Sequence, residues 1–105
     1  MKPMDHGKVF EGLIKICRNK RINVLFAPLK ANYGLIRNDK KRISIANDLN
    51  LETINKTLAH EIAHFYLHSG KGNLVSNQNT EYEEQADRAA IMLLEAIQIV
   101  GGAQG

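Results

Sequence analysis

The spacing of apolar residues along the chain predicts three helices. In residues 5–20 the apolar positions recur every three or four residues, which is typical of a helix with one buried face. The same spacing returns in residues 51–68 and again from Glu81 to about Ile99. The stretch between these two helices, residues 71–79, is polar and is predicted to be a loop.

Three short segments between the first and second helices are predicted to be strands. They cover residues 22–26, 33–37 and 42–46 and are rich in β-branched residues. The polar turn Asn38–Lys41 separates the last two, which predicts a β-hairpin. The pattern leaves residues 42–46 open as either an edge strand, beside which a substrate could add, or an interior strand. The predicted fold is α+β: an N-terminal helix, a small sheet of about three strands with a hairpin, and two further helices.

Length and composition fit a single domain. A chain of 105 residues with 44% hydrophobic and 24% charged residues can bury one modest core. Residues 1–105 are therefore predicted to form one domain with a disordered tail at 100–105. No apolar run approaches the ~20 residues of a membrane span, and the first residues lack the apolar core of a secretory signal. The single cysteine, Cys17, forms no internal disulfide, so a cytoplasmic location is predicted.

Positive charge is concentrated in the first half of the chain. Residues 1–50 hold 11 Lys and Arg against 4 Asp and Glu, and residues 51–105 hold 3 against 7. The two balances, +7 and −4, sum to the net charge of +3. A basic half can attract nucleic acid or an acidic partner. Because no aromatic or arginine cluster marks a base-reading surface, a solvated face is favoured and nucleic acid is not expected as a partner.

The most informative stretch is His60–His64, which reads H-E-I-A-H. Two histidines at this spacing lie one helical turn apart on the same face, so both imidazoles can bind one metal ion. Glu61 can then accept a proton from a water molecule beside that ion. The alternative is a solvated helix face that holds two histidines by chance. Against it, the apolar stripe of this helix lies roughly opposite the histidines and comprises Leu51, Ile54, Leu58, Ile62 and Phe65.

A catalytic zinc site needs a third protein ligand, and the last helix offers several acids. Glu83 falls at the edge of the apolar stripe of that helix, whereas Glu81 and Glu84 fall toward solvent. A carboxylate on an inward face requires a partner or a metal, so Glu83 is the preferred ligand. Its alternative role is to complete a capping box with Thr80. Asp87, one turn later, is placed to accept the second ring N–H of a ligating histidine.

His68 lies one further turn along the helix from His64 and is a rival ligand. A third histidine turns away from a metal that the first two hold, so contact with a ligand, with substrate or with the helix C-terminus is preferred. The side chain that would stabilise an oxyanion is left open among Tyr66, Tyr82 and His68.

These motifs resemble the ImmA/IrrE-type zinc metallopeptidases of bacteria and their mobile elements. The resemblance covers about residues 55–95: H-E-x-x-H-x-x-x-H at His60–His68, a polar loop, and E-x-x-A-D-x-x-A at Glu83–Ala90. The spacing of these motifs is also similar to the wider gluzincin pattern of thermolysin-like enzymes. It implies a minimal zincin-like domain. Its site would contain the zinc ligands His60, His64 and Glu83, the general base Glu61, and Asp87 in contact with a ligand.

The chain departs from the family pattern at two positions, and the resemblance also has implications for function. The family often has Phe in place of Ala89 and Glu in place of Gln85. It implies a zinc metalloendopeptidase that cleaves a regulatory protein, commonly a helix-turn-helix transcriptional repressor encoded nearby in a phage or mobile element. The first alternative is a non-cleaving, zinc-containing module that sequesters a regulator, against which the intact Glu61 argues because binding needs no base. The second is a small nucleic-acid-binding protein. The oligomeric state is left open.

Overall fold

The computed structural model describes residues 5–68 and 80–103, with side chains described up to residue 100. Its elements confirm the predicted α+β class and the predicted order of helices, strands and hairpin. In chain order they are α1 His6–Asn19, β1 Asn23–Ala27, β2 Gly34–Arg37, a short 3-10 turn Asn38–Lys40, β3 Arg42–Ala46, α2 Leu51–His68 and α3 Thr80–Ala103.

The sheet is mixed, and its strand order is β1-β3-β2. β3 pairs in parallel with β1, where Val24 lies opposite Ile43, and antiparallel with β2, where Ile36 lies opposite the same residue. β3 is therefore the interior strand, so the edge alternative for residues 42–46 is wrong. The outer strands are β1 and β2, and β2 is the one that faces the functional site described below.

The hydrophobic core lies between the sheet and the helices. Its most deeply buried side chains come from α1, the sheet and α2 and are Leu13, Cys17, Ile36, Ile43, Ile45, Leu58 and Ile62. Burial raises the pKa of the Cys17 thiol to about 11, which keeps it protonated and unreactive at neutral pH. Cys17 therefore serves packing.

α2 is buried on more than one face. The predicted stripe meets the core through Leu58 and Ile62, but Asn55, Glu61 and His68 are buried as well. Asn55 donates a hydrogen bond to the carbonyl of His6 in α1, and Glu61 lies against Gly34 of β2. His68 is covered by α3, which packs along α2. The small residues Ala86 and Ala90 of α3 are buried there, as a close approach of two helices requires.

The start of α2 is capped by a side chain, and the end of α3 departs from the prediction. The side chain of Asn50 accepts a hydrogen bond from the backbone N–H of Thr53 at 2.9 Å and so caps α2. α3 continues to Ala103, past its predicted end at Ile99 and into the segment for which the sequence predicts disorder. The predicted loop at 71–79 lies outside the described residues. Among the helices that are described, none is both long and apolar enough to cross a membrane.

Candidate metal centre

Two turns of α2 and the first turn of α3 bring three side chains to one point. One ligand atom each from His60, His64 and Glu83 lies within 4.8 Å of the others. The Nε2 atoms of His60 and His64 are 3.1 Å apart. Glu83 meets both rings, with Oε1 at 3.1 Å from Nε2 of His60 and Oε2 at 2.7 Å from Nε2 of His64. Both carboxylate oxygens thus contact imidazoles, which disfavours the capping-box alternative for Glu83.

The spacing of these donor atoms fits a small four-coordinate cation. Metal–ligand bonds of about 2.0–2.1 Å at tetrahedral angles separate neighbouring donors by roughly 3.3 Å. The separations in the cluster are 3.1, 3.1 and 2.7 Å, so only a slight expansion would admit an ion. Two imidazole nitrogens and a carboxylate oxygen also form a donor set that zinc binds. The residues present therefore fit a metal ion.

Burial favours the form of His64 that binds metal. Its side chain is almost fully buried, and this burial lowers its pKa, against the opposing pull of the Glu83 carboxylate. A lower pKa keeps the imidazole neutral at physiological pH. Only a neutral imidazole has a nitrogen lone pair to offer a metal, so the surroundings of His64 favour coordination over protonation.

Asp87 lies against the outer nitrogen of His60. Its Oδ1 is 2.8 Å from Nδ1 of His60. An ionised carboxylate only accepts hydrogen bonds, so Asp87 favours a proton at Nδ1 of His60. When a metal ion replaces the proton between Nε2 and Glu83, that nitrogen is the one that would coordinate it. This is the contact that the position of Asp87 in the sequence predicts.

His68 is buried behind His64 and lies outside the group of three. Its Nδ1 is 3.0 Å from Nδ1 of His64, the nitrogen that faces away from Glu83. Its Nε2 is 2.9 Å from Oε1 of Gln85, and its ring stacks on Tyr82 with centroids 4.2 Å apart. The geometry therefore supports contact with a ligand, one of the roles preferred for His68 from the sequence, over ligation itself.

Glu61 is buried beside the cluster at 4% exposure. Burial raises the pKa of its carboxyl to about 7, with the Glu83 charge also raising it and His60 lowering it. A carboxyl with a pKa near neutrality can both accept and donate a proton at physiological pH.

The space for the Glu61 carboxylate depends on a glycine that sequence analysis did not single out. Gly34 begins β2 directly below α2, and a Cβ atom placed there would lie 3.2 Å from Oε2 of Glu61 and 2.6 Å from Cγ2 of Thr57. The second distance is shorter than side chains tolerate. The sequence signal of this close approach is the glycine itself, since Gly34 lies near the start of the strand predicted at residues 33–37.

An open cleft of about 490 Å³ lies beside the cluster. Its walls are the segment leading into β2 and the exposed side of α2, and it is lined by Ala31, Asn32, Tyr33, Gly34, Thr53, Lys56, Thr57, His60, Glu61 and Asp87. Tyr33 lines the cleft and was not singled out from the sequence, because only the packing of the hairpin on α2 brings it there. Of the predicted candidates, Tyr66 lies under Lys20 and Tyr82 stacks on His68.

Comparisons with known proteins give a family and a similar fold. The family model of the IrrE N-terminal-like domain, Peptidase_M78, matches residues 17–99. Among solved structures, the metallopeptidase zymogen of Pyrococcus abyssi abylysin is similar, with a TM-score of 0.50 and 18% identity over 89% of this chain and 91% of that chain. At this identity the likeness concerns the fold alone. No protein of curated function matches the sequence.

Proposed function

Since the chain belongs to the ImmA/IrrE-type metallopeptidase family through its IrrE N-terminal-like domain, we propose that it is a zinc-dependent endopeptidase. The observation that carries the proposal is the convergence of His60, His64 and Glu83 within 4.8 Å, next to a buried Glu61 that lines an open cleft. Three protein ligands are the number that a catalytic zinc uses, since a fourth position must stay available to water or substrate.

Zinc in such a site lowers the pKa of water toward about 7 and polarises the substrate carbonyl. The chain supplies the proton transfer. Glu61, which is buried beside the cluster, would accept a proton from the attacking water and donate it to the leaving amine. Tyr33, which lines the same cleft, is the side chain that we propose to donate a hydrogen bond to the substrate.

The outer edge of β2 offers a path for an extended substrate. The backbone N–H of Ala46 donates to the carbonyl of Tyr33 at 2.7 Å, which identifies these two residues as a hydrogen-bonded antiparallel pair. Hydrogen-bonded and non-hydrogen-bonded pairs alternate along antiparallel strands, so the N–H and C=O groups of Gly34 and Ile36 point away from β3. Within the described residues no strand pairs with that edge. A peptide added there would run past Glu61, so β2 takes the role that the sequence allowed for residues 42–46.

The substrate that we propose is a regulatory protein, such as a helix-turn-helix repressor, in keeping with the family resemblance. The alternative is a zinc-containing module that binds a regulator without cleaving it. Glu61 favours cleavage, because a buried carboxyl beside a metal site is costly to maintain and binding alone has no use for it. A cytoplasmic location also stays a prediction.

Mass analysis of a partner protein separates cleavage from sequestration. The zinc-loaded protein and its Glu61→Gln variant are incubated with repressors encoded near its gene, and both products and complexes are recorded. The proposal expects fragments from the wild type and none from the variant. A regulator that both proteins bind with equal affinity and leave intact would replace the endopeptidase with the sequestering module.

A further inference from the structure

A row of polar contacts runs from His64 to the exposed side of α3. Nδ1 of His64 lies 3.0 Å from Nδ1 of His68, and Nε2 of His68 lies 2.9 Å from Oε1 of Gln85. The amide nitrogen of Gln85 in turn lies 3.5 Å from Oε1 of Glu81. We refer to His68 and Gln85 as the relay. It begins at the nitrogen of His64 that faces away from His60 and Glu83.

The donor and acceptor roles in this row follow from its exposed end. The carboxylate of Glu81 only accepts hydrogen bonds, so the amide N–H of Gln85 faces it and the amide oxygen faces His68. An amide oxygen also only accepts, so Nε2 of His68 carries a proton. The neutral His68 ring then has a lone pair at Nδ1, and the proton between the two rings belongs to Nδ1 of His64.

This direction leaves the Nε2 lone pair of His64 on the side of the metal cluster. With Nδ1 of His64 donating to His68, its Nε2 carries the lone pair and lies 2.7 Å from Glu83, whose carboxylate also only accepts hydrogen bonds. This direction therefore belongs to the metal-loaded site, where a bound cation would take the place of the proton between these two atoms. The reverse direction, with Nδ1 of His68 donating, would protonate His64 at Nε2 and block it. The relay therefore favours the coordinating form of His64.

We propose that His68 and Gln85 are positioning residues for the metal ligand His64, and that the amide oxygen of Gln85 determines which nitrogen of His68 carries the proton. The inference rests on the proposed function only in taking His64 as a ligand. It completes a pattern in which α3 orients both histidines, His60 through Asp87 and His64 through Gln85 and His68.

Burial makes the inner contacts of the relay effective. His64 and His68 are each 2% exposed, so the hydrogen bond between them is shielded from water. The Tyr82 ring stacks on His68 at an interplanar angle of 19° and holds the plane of the imidazole. Gln85 itself is exposed, so it can be replaced without opening the core.

Zinc affinity of variants at position 85 tests the relay. Gln85→Met keeps the length of the side chain and removes the acceptor, whereas Gln85→Glu keeps an acceptor. Gln98→Met makes the same chemical change further along α3 and serves as the matched control. Competition with a chromophoric chelator should show affinity lowered on the order of 10-fold in Gln85→Met and close to the wild type in the other two.

Ring-nitrogen NMR reads the inferred proton positions directly in the zinc-loaded wild type. The expected spectrum has His68 protonated at Nε2 and not at Nδ1, and His64 protonated at Nδ1; in Gln85→Met the preference at His68 weakens. A His68 ring protonated at Nδ1, or equal zinc affinity in Gln85→Met and the wild type, would overturn the proposal. If Gln85→Met does not fold, the wild-type spectrum still decides. If the protein shows this spectrum but cleaves no partner, the proposed endopeptidase function is wrong and the inference about His68 and Gln85 still holds.

Discussion

Asp87 and His60 lie on different helices, yet Oδ1 of the aspartate is 2.8 Å from Nδ1 of the imidazole. One turn earlier on α3, Glu83 approaches the other nitrogen of the same ring. Two carboxylates from successive turns therefore hold one imidazole from both sides, one as a prospective fellow ligand and the other as hydrogen-bond acceptor. The spacing E-x-x-x-D places both carboxylates on the same face of α3, one turn apart.

Removal of the Asp87 carboxylate should weaken the zinc site without abolishing it. Asp87→Ala leaves Nδ1 of His60 without its acceptor, and we expect zinc affinity to fall by about 10-fold. The effect should lie at the lower end of the usual range because the Asp87 side chain is 67% exposed and water can replace it. Glu95→Ala, an exposed acid on the same helix, is the control for loss of charge. Equal affinities in the two variants would exclude the role of Asp87.

Loss of Glu83 should be more severe than loss of Asp87. Glu83→Gln preserves size but removes the charge and one acceptor oxygen, and we expect zinc affinity to fall by more than the roughly 10–100-fold typical of residues that only contact a ligand. The neighbouring acid provides the comparison, because Glu84 is exposed. Isothermal titration with zinc should show Glu84→Gln unchanged. If Glu84→Gln loses zinc and Glu83→Gln keeps it, the third ligand has been misidentified.

Glu61 should destabilise the metal-free protein at neutral and alkaline pH. Burial raises the pKa of its carboxyl from the usual 4.5 to about 7, so folding favours the protonated form. This stabilisation is fully present below pH 4.5 and is lost as the pH rises through about 7. The shift corresponds to about 3 kcal/mol.

Glu61→Gln removes this dependence. In chelator-treated protein, the variant should gain stability relative to the wild type as the pH is raised from 4.5 to 8, and urea unfolding at a series of pH values measures the difference. A constant difference across that range would mean that Glu61 is not desolvated as the structure shows. The same substitution should keep zinc and reduce peptide cleavage by at least about 100-fold.

Gly34→Ala tests the close approach of β2 to α2. The added Cβ would meet Cγ2 of Thr57 at 2.6 Å, and we expect a loss of about 1–3 kcal/mol in the free energy of unfolding. Thr57→Ser deletes that methyl group, so the double variant should recover stability. In both the single and the double variant the added Cβ still contacts the Glu61 carboxylate, so cleavage per folded molecule should stay low in both.

Gly12→Ala is the matched control for this prediction. Its Cβ would meet Ile97 at 2.9 Å, at the contact between α1 and α3 and away from the cleft. It should lower stability and leave cleavage per folded molecule unchanged. Recovery of full cleavage in Gly34→Ala with Thr57→Ser would show that the space at Gly34 serves packing alone.

The helices and strands were predictable because each depends on local spacing, and the same spacing singled out His60, His64 and Glu83 as candidate ligands. H-E-x-x-H places both imidazoles on one helix face, and Glu83 stands out because it falls at the edge of an apolar stripe. The sheet order was not predictable, since an interior position for residues 42–46 depends on the parallel pairing with β1, which no local pattern records. The contacts of Gly34 with α2 and of Gln85 with His68 were not predictable for the same reason, since each joins elements distant in sequence.

X-ray absorption at the zinc edge of the purified protein tests the central claim most directly. The account predicts one zinc per chain, coordinated by two imidazoles and by oxygen at about 2.0–2.1 Å, with the imidazole contribution halved in His64→Ala. A protein that retains no zinc would contradict the metal site. A shell of three imidazoles that persists in Glu83→Gln would show that His68 is the third ligand and that the geometry of α3 has been misread.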